Sequence, residues 1–315
     1  MTRPSIAPSD SLAINAVLVS SRQAVDAVCD RWTLALVLAM LYGERRFNGL
    51  MKATGIASRL LATRLKALEA SGIIVRIPYS MHPPRQEYHL TNMGGELSNV
   101  LLQMLRWEQN GEIVGDAASH ITHLSCGAPL RPQLRCAACH ALAGARDIEL
   151  KLSRAQLQHM PEKQSAHRRS TVTSQGENSA PQSLGASLDI FGDKWGIEIL
   201  LCAFFRIRRF SDFRVCTGIA ANILTDRLER FVEGGILVRN QDATGQFGYR
   251  LTARGVDLYG VIVSVERWAD TWLRSRYRSP VRLIHRDCGH EFRPLTTCAH
   301  CEKTVDRAAV GFDAS

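Results

Sequence analysis

The sequence predicts a mainly α chain with small β-hairpins, built as two tandem modules that each end in a short Cys/His knuckle. The prediction rests on three observations. Asp30 to Arg76 matches Asp193 to Arg239 at a constant offset of 163, with 17 of 47 positions identical. Outside two short β-prone runs per copy, apolar residues recur at helical spacing. His-x2-Cys followed by Cys-x2-Cys occurs twice, at His123, Cys126, Cys136, Cys139 and, 162 residues later, at His285, Cys288, Cys298, Cys301. A repeat of this kind sets the frame for every later assignment.

Residues 32–42 and 195–205 are almost entirely apolar, a length that suits a buried helix better than a strand. Arg45-Arg46-Phe47 and Arg208-Arg209-Phe210 open a second short segment, which stops at Gly55 or Gly218. In a third helix Leu60, Leu61, Leu65 and Leu68 share one face, matched by Ile223, Leu224, Leu228 and Phe231. Two β-prone pieces follow in each copy, 73–77 with 86–91 and 236–239 with 247–252, each pair joined by a polar loop. A last helix carries apolar residues at 97, 100, 101 and 104, and at 258, 261, 262 and 265. Helix, helix-turn-helix, two-stranded wing, helix is the order of a winged helix.

At this point the residues carry a family resemblance. Gly192-Asp193-Lys194-Trp195, Arg209-Phe210-Ser211-Asp212-Phe213, Gly218-Ile219 and Leu224-Thr225-Asp226-Arg227-Leu228 resemble, in that order, the HxlR-type winged helix-turn-helix regulators. The first copy keeps Asp30-Arg31-Trp32, Arg46-Phe47, Gly55-Ile56 and Arg64-Leu65 and is more diverged. The resemblance implies a bacterial transcription factor, a family whose members usually carry one module per chain and pair as homodimers through terminal helices. A chain with two modules could supply both halves of such a pair itself, as an intramolecular pseudo-dimer, or pair with a second chain. The expected division is a winged-helix domain with its cluster at 12–152, a linker at 153–187 that is polar and rich in Ser and Gln, and a second such domain at 188–310.

Composition agrees with a nucleic-acid partner. The net charge is +9 and the pI near 9.3, which point to a polyanionic partner, nucleic acid first and an anionic membrane surface second; the family resemblance implies double-stranded DNA. No apolar run is long enough to span a membrane, and the N-terminus lacks the order of a signal peptide, so a cytoplasmic, nucleoid-associated protein is expected. The second helix of a helix-turn-helix faces base edges in the major groove. Positions off the leucine stripe are therefore candidates: Ser58, Arg59, Thr63 and Lys66 in the first copy, Asn222 and Thr225 in the second. Arg59 suits guanine and Asn222 adenine, because each can form paired hydrogen bonds to those bases. Arg45, Arg46, Arg208 and Arg209 suit phosphates, and Arg76, Arg85, Arg239 and Arg250 lie on the wings. Residues 44–91 carry a balance of +5 and residues 207–252 only +2, so the first copy should supply more of the salt-sensitive affinity. Asp226 and Glu229 would repel phosphate there.

Four Cys/His ligands in two short knuckles suit tetrahedral zinc, and two structural Zn2+ ions are expected, one per copy. His140, His290 and His300 are alternative ligands, but only His123 and His285 share register between the copies. Cys29, Cys202 and Cys216 read as buried, inert thiols. The sequence contains no nucleophile elbow, phosphate-binding glycine loop or paired-carboxylate motif, so no enzymatic activity is expected, and no small-molecule effector is identifiable. The leading reading is a sequence-specific transcriptional regulator. A protein-interaction adaptor and a regulator switched by oxidation of the clusters are the alternatives.

Overall fold

The computed structural model describes residues 8–82, 84–111, 121–153, 184–241, 245–273 and 280–312; most of the expected linker, 154–183, lies outside them. The first copy opens with a helix that the sequence reading did not assign, α1 (Pro8–Val28). It continues with α2 (Arg31–Leu41), α3 (Phe47–Thr54), α4 (Ser58–Ala70), β1 (Ile74–Met81), β2 (Pro84–Leu90), α5 (Asn92–Gly95) and α6 (Ser98–Gln109). Four short strands complete it: β3 (Ile121–His123), β4 (Ala128–Pro129), β5 (Pro132–Cys136) and β6 (Ile148–Leu152). The second copy repeats the order as α7 (Gly185–Phe191), α8 (Lys194–Phe204), α9 (Phe210–Thr217), α10 (Ala221–Glu233), β7 (Leu237–Gln241) and β8 (Phe247–Leu251). It ends with α11 (Ala253–Asp257), α12 (Tyr259–Trp272), β9 (Val281–His285), β10 (Pro294–Cys298) and β11 (Val310–Phe312).

The winged-helix order therefore holds in both copies, and local chemistry explains the joints. Asp30 caps α2, its carboxylate accepting from the backbone N–H groups of Trp32 and Thr33 at 3.2 Å. α3 and α9 stop at Gly55 and Gly218, both left-handed, with φ of 67° and 73°. Thr91 and Thr252 cap α5 and α11 and donate back to the carbonyls of Gly72 and Gly235, which ties the end of each wing to the end of the preceding helix. A Cβ added at Gly94 or Gly255 would sit 2.2 Å from the carbonyl of Ile73 or Ile236, so glycine alone allows that approach. Leu61, Leu65 and Leu68 of α4 are buried, as are Leu224, Leu228 and Phe231 of α10. The last helix of each copy is bent into two, α5 with α6 and α11 with α12, and its expected stripe, including Leu97, Val100, Leu258 and Val261, is buried.

The two copies exchange parts. α1 packs on α8, α9 and α12 of the second copy, whereas its counterpart α7 packs on α2 and α6 of the first as well as on α8. Twin ion pairs mark the exchange, Lys194 with Asp26 at 2.6 Å and Arg31 with Asp189. Between them α6 and α12 pack together. There the indole of Trp107 donates to the Arg254 carbonyl and that of Trp268 to the Met93 carbonyl, each at 2.8 Å. The strands after each wing also pair across the copies: β5 with β10, β6 with β9, and β3 with β11. In the first of these ladders Leu134 faces Thr296, its own counterpart at an offset of 162, so the pseudo-twofold axis passes through that pair. One continuous apolar core runs through both copies.

Candidate nucleic-acid interface and metal clusters

α4 and α10 bury their apolar face and leave the other side out. Ser58, Arg59, Thr63 and Lys66 are exposed on α4, and Asn222 and Thr225 on α10. The threonine hydroxyls turn back on their own helices, Thr63 donating to the Arg59 carbonyl and Thr225 to the Ala221 carbonyl at 3.0 Å. Arg45 and Arg208 sit where the helical unit meets the wing, their carbonyls accepting from Tyr88 and Tyr249 at 2.8 Å. Wing residues Arg76, Arg85, Arg239 and Arg250 are exposed as well. Some of these cations are engaged: Arg46 with Glu87 at 3.1 Å and over the Tyr79 ring, Arg76 with Glu69 at 2.7 Å, and Arg239 over Phe247. The side chains of Arg45, Arg59, Lys66, Arg85, Arg208 and Arg250 form no ion pair with a described residue.

The acidic character of the second copy is softened locally. Asp226 pairs with Arg227 and, at 3.2 Å, with Arg230, so its charge is largely compensated, while Glu229 stays exposed. The shared arginines serve the fold: Arg227 pairs with Asp193, and Arg64 with Asp30 at 3.4 Å. Asp30 caps its helix as well as pairing with Arg64, whereas Asp193 pairs with Arg227 and makes no side-chain cap.

The model of the HxlR-like helix-turn-helix family matches residues 27–112 and 190–277, more than half of the chain and one match on each copy. The chain belongs to the HxlR-like family. Among its relatives, an uncharacterized HTH-type transcriptional regulator of Mycobacterium tuberculosis is 34% identical over 126 residues, covering 39% of this chain and 80% of the relative. The uncharacterized HTH-type transcriptional regulator YybR of Bacillus subtilis is 36% identical over 92 residues, covering 29% of this chain and 74% of YybR. A crystal structure of PA1607, described as a candidate transcription factor, matches at 30% identity with a TM-score of 0.38, covering 44% of this chain and 97% of that one. This HxlR-like protein is a DNA-binding transcriptional regulator. Among the described residues, none of its helices is long and apolar enough to cross a membrane.

The cysteines of this HxlR-like chain group differently from the expectation of one cluster per copy. His123 and Cys126 converge with Cys298 and Cys301, and Cys136 and Cys139 converge with His285 and Cys288. In each group the ligand atoms all lie within 4.8 Å of one another, and the Nδ1 of the histidine is 3.3 Å from two thiols. His140, His290 and His300 belong to neither group. The reason is topological. Each His-x2-Cys turn follows β3 or β9 and each Cys-x2-Cys turn follows β5 or β10, and the cross-copy pairing of these strands sets a turn from one copy against a turn from the other.

The donor set fits zinc. A tetrahedral ion at the usual metal–sulfur and metal–nitrogen lengths separates sulfur and nitrogen by about 3.5 Å. Both histidines are fully buried and their Nε2 atoms make no hydrogen bond, so the thiols are the hydrogen-bonding-distance contacts of the rings. All nine cysteines are free. At Cys136 burial pushes the thiol up, but backbone N–H groups of Ala138 and Cys139 and the neighbouring thiols outweigh it and bring it below the ordinary value. Cys298, its counterpart, is lowered in the same way by Cys301 and His300. The turns are built twice over: Gly127 and Gly289 take φ of 69° and 70°, and His140 and Glu302 take 61° and 58°.

Cys29 and Cys202 are buried in the core, and Cys216 is half-buried. Burial pushes the Cys29 thiol far above its ordinary value, with Glu266 adding to the effect. Cys202 is raised by the thiol of Cys216 and by burial. In the native protein at pH 8, Cys29 is expected to escape alkylation by iodoacetamide, whereas it reacts in urea; mass spectrometry of the two digests checks this.

Proposed function

We propose that a single chain recognises two operator half-sites, with α4 and α10 as recognition helices and the wings on the flanking backbone. The observation that carries this reading is the reciprocal exchange of α1 and α7, which couples the two modules within one polypeptide. Exposed Arg59 and Lys66 make the first module the stronger contributor, and Asn222 gives the second a different base preference. Each cross-copy Cys/His group holds one zinc ion in a closed, four-ligand, structural role. His123, Cys126, Cys298 and Cys301 would hold one ion, and Cys136, Cys139, His285 and Cys288 the other.

The test is a fluorescence-anisotropy titration on a DNA fragment selected from genomic fragments by the purified protein. Arg59→Glu with Lys66→Glu is expected to lower affinity at least 100-fold and to flatten the dependence of log K on log salt by about two counterions. Unchanged affinity in the double variant would sink the operator reading in favour of a protein-docking role. Binding that is tight but indifferent to sequence would remove half-site recognition alone.

A further inference from the structure

The duplication places two equivalent hollows in the molecule, and only one of them has been opened. In the first copy the hollow is about 30 Å³ and is lined by Leu184, Leu41, Leu105 and Ser98 among other, mostly aliphatic, residues. At the corresponding positions in the second copy stand Ser21, Phe204, Glu266 and Tyr259, and the cavity is about 330 Å³. A leucine has become a serine and the inner wall has become aromatic. The larger volume is within the range of sites that take small organic molecules, whereas the smaller is not.

Two polar atoms in this cavity lack partners. The Ser21 side-chain oxygen and the Tyr259 hydroxyl are both buried and make no hydrogen bond in the structure, and burial pushes the Tyr259 phenol well above its ordinary range, so it stays protonated. A buried hydroxyl without a partner destabilises the fold, and a ligand carrying a hydrogen-bonding atom would recover that loss. The Phe204 ring meets Tyr259 edge-on at 6.0 Å, and Phe292 lines another wall, so the interior presents ring faces and edges. The charged lining residues Arg267, Asp270, Glu291 and Arg293 are exposed and mark the side open to solvent, and Glu266 is half-buried. Three carboxylates against two guanidinium groups give an anion no advantage there.

We propose that this cavity is a binding site for a neutral, flat aromatic molecule that carries a hydroxyl, carbonyl or amine group, with Tyr259 and Ser21 as its hydrogen-bonding partners. Its walls come from α1 and β6 of the first copy and from α8, α12 and the knuckle strands of the second, so the bound molecule touches both halves of the exchanged structure. The site is independent of the operator reading, because binding is measured without DNA.

Isothermal titration calorimetry of the full chain with 2-naphthol and with indole tests it. One molecule per chain is expected, with naphthalene-2-sulfonate binding at least 10-fold more weakly than 2-naphthol. Ser21→Leu, which restores the residue of the closed twin, should weaken 2-naphthol binding at least 10-fold, and Tyr259→Phe about fivefold. Far-UV circular dichroism checks that each variant is folded, and Tyr259→Phe, which removes one oxygen, keeps the test alive should Ser21→Leu fail to fold. No binding of either neutral probe, or binding that folded variants leave unchanged, overturns the proposal.

Discussion

A chain carrying Cys126→Ser and Cys139→Ser together is expected to hold no zinc after dialysis against a chelator, while Cys126→Ser with Cys301→Ser keeps one ion. The contrast follows from grouping alone. Cys126 shares its cluster with Cys301 and not with Cys139. The first pair of substitutions therefore damages both sites, and the second damages one site twice. Clusters closed within each copy would reverse the two results, so metal analysis by plasma mass spectrometry decides between them in one experiment. An ion held in each group would also contribute folding energy to strands of only three to five residues that have little core of their own. Because β5 pairs with β10 and β6 with β9, the first pair of substitutions should loosen the knuckles of both copies together.

Trp107→Ala is expected to lower stability by about 3–5 kcal/mol, and Trp268→Ala by a similar amount, read as a drop in the urea midpoint at constant slope. Each indole is buried, fills the seam between α6 and α12, and donates a hydrogen bond across the copies. Truncation removes that packing and leaves a half-buried carbonyl short of a donor. Trp107 also carries the Arg254 guanidinium on its face at 4.0 Å from the ring centre, which the alanine variant loses. Trp32 and Trp195 are only half-buried, so the same truncation there should cost less. Since both tryptophans reach across the copies, the loss should appear in one transition that takes both modules. Two separated transitions would contradict a shared core.

The winged-helix order, the helices α4 and α10 and the eight Cys/His residues that converge were legible because each is a local pattern: a leucine stripe, a glycine stop, a pair of ligands with two residues between them. What belonged with what was not. The knuckles look complete within a copy because their four ligands lie close together in sequence, and no local signal says that the strands between them pair with the other copy. α1 did leave a signal. Ile14, Val17, Leu18, Ser21, Val25 and Val28 form one helical stripe, and all are buried. That stripe shows a helix with a hidden face but does not name its partner, which is a long-range choice made by tertiary packing. The opened cavity was equally hidden, since Ser21 and Tyr259 are 238 positions apart and meet only through the exchange.

The exchange of α1 has a consequence for how the protein is made. α1 leaves the ribosome long before the surfaces it covers, on α8, α9 and α12. The first module cannot bury that helix by itself, so its apolar stripe waits through the synthesis of well over half of the chain. Folding is thereby tied to synthesis of the second copy: a product that stops before it is left with an unmatched apolar helix and two half-built cysteine turns, the kind of exposed surface that chaperones and proteases act on. A chain that carries both modules closes both at once, and in this way the order of the sequence makes assembly its own check on whether the second module was made.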